Sequence, residues 1–209
     1  MKPISWLKIA VFFASLGPLA RLLWRYRQND LTANPIEFIT HSTGLTALIF
    51  LLITLGITPL RRLTRQFWLI QLRRMLGLFA FFYACLHFTV WIAVDHFFEW
   101  GELIPDIIKR PYITVGMFAL TLLMPLAATS TSGMIKRLGG QNWRWLHRLV
   151  YLIGLLGVLH YLWLAKKGVN DPYLYAAILA ALLGIRLWDW VRRKAWWGLL
   201  RYGFVAAIR

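Results

Sequence analysis

The stretch Met75–Val94, MLGLFAFFYACLHFTVWIAV, decides the fold. It carries no Asp, Glu, Lys or Arg, and its only ionisable side chains near neutral pH are Cys85 and His87. A helix of this length, rising 1.5 Å per residue, spans about the ~30 Å of hydrocarbon in a bilayer. Working outward, five further stretches read the same way: Ile4–Leu23, Thr40–Leu60, Tyr112–Thr129, Leu146–Ala165 and Tyr173–Trp190. Backbone groups in lipid must be satisfied within the segment, so the expected architecture is an all-α integral membrane protein, a six-transmembrane-helix bundle. Pro18, Pro59 and Pro125 fall near span ends or kink them.

Composition agrees. Of 209 residues 59% are hydrophobic and 15% charged, against about a quarter charged in soluble domains. The net charge of +16 sits on a chain too apolar for a disordered basic tail or a nucleic-acid binder. Cys85 is the lone cysteine, which excludes a disulfide scaffold. The spans use nearly the whole chain, so residues 1–209 are read as one transmembrane domain with no room for a soluble FAD, NAD or molybdenum domain. P-loop, GxGxxG, CxxC and HExxH motifs are absent. Trp68, Trp100, Trp143, Trp145, Trp163, Trp188 and Trp190 gather near span ends, as an interfacial belt requires.

Charge asymmetry predicts orientation. With the N-terminus in the cytoplasm, seventeen basic residues fall inside, including Arg61–Arg74 and Lys136–Arg148. Seven fall outside: Arg21, Arg25, Arg27, Lys109, Arg110, Lys166 and Lys167. The outer loop Asp95–Pro111 holds Asp95, Glu99, Glu102 and Asp106, half of the eight acids. Both termini are thus expected inside. The first span is read as retained, because Lys8 interrupts its apolar run and no small-residue cleavage site follows. The basic inner loops suit a phosphate, as in FMN, or acidic lipid headgroups, although topology alone accounts for them.

Ionisable groups within spans are costly and mark function. His87 lies twelve residues into the third span and His160 fourteen into the fifth. Both spans run in the same direction, so the two imidazoles reach similar depth, ~18–21 Å from the inner end. A lone histidine there would be interhelical glue. Two at matched depth in aromatic surroundings suit a b-type haem with two axial imidazoles. His147 precedes His160 on the same predicted helix by ~19.5 Å, the spacing of a second stacked haem, but ideal geometry turns the two rings ~140° apart. The third span offers Arg73 and Arg74 at that depth rather than a histidine. His41 opens the second span and either holds a haem propionate or caps the helix beside Thr40 and Ser42. His96 reads as a solvated residue of the outer loop.

The order of these marks resembles the MsrQ (YedZ) family, haem-binding membrane subunits within the wider ferric-reductase-like transmembrane superfamily. The matching residues are His41-Ser42-Thr43-Gly44, Arg73-Arg74-Met75-Leu76-Gly77, Leu86-His87, Arg110-Pro111-Tyr112, Thr129-Ser130-Thr131-Ser132, Trp145-Leu146-His147 and His160-Tyr161-Leu162-Trp163, and they cover essentially the full length. The resemblance implies a single ferric-reductase-like haem domain in the bacterial inner membrane, carrying heme b and FMN. It implies electrons drawn from the quinone pool and delivered to a separate periplasmic molybdenum-containing methionine sulfoxide reductase subunit, MsrP, which repairs oxidised proteins. Family haem ligation maps onto His87 and His160, with His147 a further candidate. The chain is then an electron-transfer subunit with no catalytic residue of its own. Rival readings are a self-standing ferric or quinone reductase, and a proton-coupled transporter whose histidines relay protons.

Overall fold

The computed structural model describes residues 3–164 and 171–206, with side chains described for 5–164 and 171–194. Lys2, Ala165, Lys166, Lys167 and Arg209, used above for span ends or charge asymmetry, lie outside the described residues. Among the described residues nine helices run in order: α1 (Pro3–Arg27), α2 (Pro35–Thr64), α3 (Arg73–Val90), α4 (Trp100–Lys109), α5 (Pro111–Ala128), α6 (Ser132–Leu138), α7 (Gly140–Leu146), α8 (Leu149–Leu164) and α9 (Asp171–Ala206). A 3-10 turn, Phe67–Gln71, precedes α3, and a π-helical turn, Trp91–Asp95, extends it. Among the described residues there is no strand. Six segments of the described residues are long and apolar enough to cross a membrane: Ser5–Arg27, Pro35–Thr64, Arg73–Asp95, Pro111–Ala128, Gly140–Leu164 and Asp171–Lys194. The chain is a multi-pass all-α membrane protein.

Span α2 is the hub: 44% of its most apolar window is buried, against 6% for α1 and for α9. Phe50 of α2 stacks on Tyr83 of α3 with centroids 5.5 Å apart and planes 6° from parallel, and also on Phe79 at 5.7 Å. Gly154 of α8 lets Leu55 and Leu179 approach so closely that an added Cβ would stand 3.3 Å from each, the use small residues serve between membrane helices. The outer helices present apolar side chains outward, Trp6, Phe13 and Trp24 being more than 60% exposed. Such a surface is stable in lipid, not in water. Pro18, Pro59 and Pro125 lie inside α1, α2 and α5.

Three expectations change. The second span begins at Pro35, not at Thr40: Asn34 caps it, its Oδ1 accepting the Glu37 N–H at 3.3 Å, with Pro35 in the first turn. His41 therefore lies inside α2 and caps nothing. The fifth span is not one helix, since α7 ends at Leu146, His147 closes it, and α8 starts at Leu149. The break is held from the side: Trp143 Nε1 donates to the Thr129 carbonyl at 3.0 Å, and His147 Nε2 lies 3.0 Å from Thr129 Oγ1. The ideal-helix rotation between His147 and His160 thus does not apply. Finally, the outer loop contains α4, whose Leu103 is buried while Trp100, Ile104 and Ile108, spaced four apart, face outward.

Candidate functional site: a paired-histidine cavity

The two histidines singled out by depth come together. His87 on α3 and His160 on α8 have ring centroids 6.1 Å apart, with planes at 76°. Each ring is oriented by a backbone carbonyl of another span. His87 Nδ1 lies 2.9 Å from the Thr40 carbonyl oxygen of α2, and His160 Nδ1 lies 2.6 Å from that of Tyr112 on α5. A carbonyl only accepts, so each Nδ1–H donates, and each neutral ring keeps its lone pair on Nε2. Holding the distal nitrogen in this way is how proteins fix the tautomer and raise the basicity of a metal-binding imidazole.

Glycine makes these approaches possible. Gly44 follows Thr40 by one helical turn, and a Cβ there would stand 3.0 Å from His87 Nδ1 and Cε1. Gly116 follows Tyr112 by the same turn, and its Cβ would stand 2.8 Å from His160 Nδ1. The half-sites are thus built alike: a carbonyl takes the ring N–H, and four residues on a glycine leaves room for the ring. Thr40, Gly44, Tyr112 and Gly116 were not assigned from the sequence as supports of the histidines. Their signal was the glycine four residues after Thr40 or Tyr112, in the two spans that pack against the histidine-bearing ones.

Between the helices lies a cavity of about 470 Å³, lined by both histidines and largely by apolar and small side chains, among them Leu48, Ala80, Ala84, Leu120 and Ile153. Its rim is polar, with Asn34, His41, Asp95 and Arg110. His41 is half exposed there, its Nε2 3.9 Å from Glu37 Oε1. Arg110 Nε binds Asp106 Oδ1 at 2.7 Å, and its Nη1 donates to the Tyr112 hydroxyl at 3.3 Å. The Tyr112 hydrogen bond, with the charge of Asp106 adding to it, lifts the Arg110 guanidinium above its usual range, and burial opposes them.

His96 is not the solvated residue expected. Its side chain is 12% exposed, with Nε2 3.2 Å from Asp106 Oδ2 and its ring 5.0 Å from Trp91. His147 stands apart from the cavity: its ring stacks on Trp143 at 4.0 Å and its Nε2 meets the Thr129 hydroxyl. The structure therefore joins His87 with His160, places His41 at their rim, and leaves His147 outside. Two imidazoles lining one cavity, each with its Nε2 lone pair left free by the Nδ1 hydrogen bond, can ligate one metal between them. At the roughly 2 Å usual for imidazole–metal bonds, their centres would be roughly 6 Å apart.

Comparison with known proteins matches this arrangement to a family. Residues 40–158, which include His87 and both carbonyl supports and end two residues before His160, match the ferric reductase like transmembrane component. The chain is 55% identical over 195 residues to the protein-methionine-sulfoxide reductase heme-binding subunit MsrQ of Herminiimonas arsenicoxydans, covering 91% of this chain and 89% of that one. It is 50% identical over 207 residues to the MsrQ of Ralstonia nicotianae, covering 98% and 94%. For the MsrQ of Rhodospirillum rubrum the identity is 52% over 187 residues, covering 90% of each chain. The chain belongs to the MsrQ family of ferric-reductase-like transmembrane proteins.

Proposed function

We propose that this chain is the haem-carrying electron-transfer subunit of a methionine sulfoxide reductase system, with His87 and His160 as the axial ligands of a heme b. One observation carries the reading: both Nδ1–H groups are tied to backbone carbonyls while the rings oppose each other at 6.1 Å. The donor set also fits a porphyrin. Two imidazoles fill only two positions of a metal's shell, and among the described residues no group of three or more His, Cys, Asp or Glu stands ready to hold an ion. A macrocycle supplies the missing ligands itself.

A haem so held supplies a one-electron centre whose potential the surroundings tune. The chain's own residues do the rest. Thr40 and Tyr112 orient both imidazoles and fix the proton on Nδ1; Gly44 and Gly116 let them seat; the apolar wall excludes water; and Arg110 and His41 offer positive charge or hydrogen bonds where propionates would reach the rim. In this reading residues 1–209 form one haem domain in the bacterial inner membrane with both termini cytoplasmic. Electrons come from the quinone pool or a flavin and pass to a periplasmic MsrP-type molybdoenzyme, with which the chain forms a heterodimer. FMN is the further cofactor expected. The chain does no sulfoxide chemistry itself.

Purified protein should show a reduced low-spin haem spectrum, and His87→Ala and His160→Ala should each abolish it. Unchanged spectra in both variants would refute the ligand assignment. Methionine sulfoxide reduction by an added MsrP-type partner, driven by a quinol, tests the physiological role. Rapid reduction of iron chelates without that partner would favour the self-standing reductase. Flavin analysis of the same sample tests FMN.

A further inference from the structure

At the opposite end of the bundle from the histidine rim, α2, α8 and α9 enclose a second cavity of about 460 Å³. Four arginines line it, Arg62, Arg148, Arg186 and Arg193, against one acid, Asp189. The carboxylate is already engaged: Arg62 pairs with Asp189, and Arg193 Nε donates to the Asp189 carbonyl at 3.1 Å. Arg186 is fixed as a fork, Nη1 donating to the Tyr151 hydroxyl at 2.8 Å and Nη2 to the Leu55 carbonyl, while its Nε is buried with no hydrogen-bond partner. Arg148 lies over the Trp145 ring at 4.5 Å, and its guanidinium has no hydrogen bond or ion pair among the described residues.

An excess of three positive charges around one concave site is costly unless an anion completes it. A positive-inside loop needs only basic residues exposed to water. It does not need them gathered round a cavity, one ordered by a tyrosine and a main-chain carbonyl and left with a buried free N–H. The N–H groups left over, those of the Arg148 guanidinium, the Arg193 Nη atoms and Arg186 Nε, suit the oxygens of a phosphate, and Tyr151 adds a neutral donor. We infer that this cavity is a binding site for a phosphate group, carried either by an anionic phospholipid headgroup or by a soluble phosphate monoester. The site lies at the helix ends, where α2 finishes and α8 begins, a position open to both sources.

The test uses the full-length protein in neutral detergent and follows thermal unfolding. One arm titrates phosphatidylglycerol against phosphatidylcholine at equal mole fraction. The other titrates inorganic phosphate against chloride at equal ionic strength. The double variant Arg148→Gln/Arg193→Gln removes two lining charges that do not tie the helices together. Lys136→Gln/Arg137→Gln removes the same charge from α6, outside the cavity. Stabilisation by phosphatidylglycerol alone identifies a lipid headgroup, and stabilisation by inorganic phosphate identifies the soluble source. In either case the apparent affinity should fall about tenfold in the cavity variant and stay unchanged in the α6 variant. Wild-type protein unmoved by both ligands overturns the inference. So does equal weakening by the two variants, or none by the cavity variant.

Discussion

Replacing Gly116 by alanine should uncouple fold stability from haem binding. A Cβ built at Gly116 stands 2.8 Å from His160 Nδ1 and 2.9 Å from Cε1, whereas ordinary contact begins at 3.4 Å. The ring must therefore retreat by about 0.6 Å, or α5 must move by as much. Retreat along the hydrogen bond would stretch the 2.6 Å link to the Tyr112 carbonyl towards about 3.2 Å, the edge of a useful bond. Gly44→Ala is milder, since its Cβ stands 3.0 Å from His87 and demands about 0.4 Å. Overpacking of this kind costs about 1–3 kcal/mol, or roughly five- to 150-fold in haem affinity, with Gly44→Ala at the lower end. Alanine in a helix interior meanwhile gains about 0.5–1 kcal/mol over glycine, so the apoprotein should remain folded. Haem titration of apoprotein, read as dissociation constant and reduced spectrum, separates the effects, with thermal unfolding of the apoprotein alongside. Gly184→Ala, with nothing within 4 Å of its added Cβ, is the control and should bind normally. Wild-type haem affinity in Gly116→Ala would refute the role assigned to these glycines.

Exogenous imidazole should restore a low-spin spectrum to His160→Ala, because the cavity keeps the vacated space and the His87 support; failure of rescue with a folded protein would count against direct ligation. His147→Ala should leave the signal of the His87–His160 pair intact, since its ring contacts Trp143 and Thr129 rather than the cavity, and loss of that signal would contradict this placement. Tyr83→Phe should lower stability by about 1–2 kcal/mol, because the buried hydroxyl donates to the Ser15 carbonyl at 2.8 Å and accepts from Leu19 N–H at 3.3 Å, tying α1 to α3. Thermal unfolding reads that loss, with the haem spectrum unchanged. Arg110→Gln should lower the haem midpoint potential, because a cation at the rim favours the reduced, less positive centre. Tyr112 and Asp106 lift the Arg110 guanidinium further above neutrality, so the shift should be equal at about pH 6 and about pH 9. A shift that vanishes at the higher pH would assign the effect to another group.

Six spans, the all-α class and two histidines at one depth were legible without coordinates. Each depends on a property carried by the local chain: enough apolar residues to cross lipid, and 1.5 Å of rise for every residue. The direction a side chain faces is different, because it accumulates 100° per residue and any break resets it. His147 shows this: its rotation relative to His160 was reckoned along one helix, but the helix breaks between Leu146 and Leu149, where Thr129 bonds Trp143 and His147. His41 and His96 moved for a similar reason, since Asn34 caps α2 earlier than hydropathy suggests and α4 folds Asp106 back onto His96. Only packing between spans decided that Thr40 and Tyr112 would serve the histidines, that Gly44 and Gly116 would make room, and that four arginines from α2, α9 and the turn before α8 would ring one cavity. The sequence by itself determined which segments are long and apolar enough to cross a membrane and how far along their spans His87 and His160 stand. The tertiary structure decided which atoms meet, because contacts between helices distant in the chain depend on azimuth and breaks that no local pattern encodes.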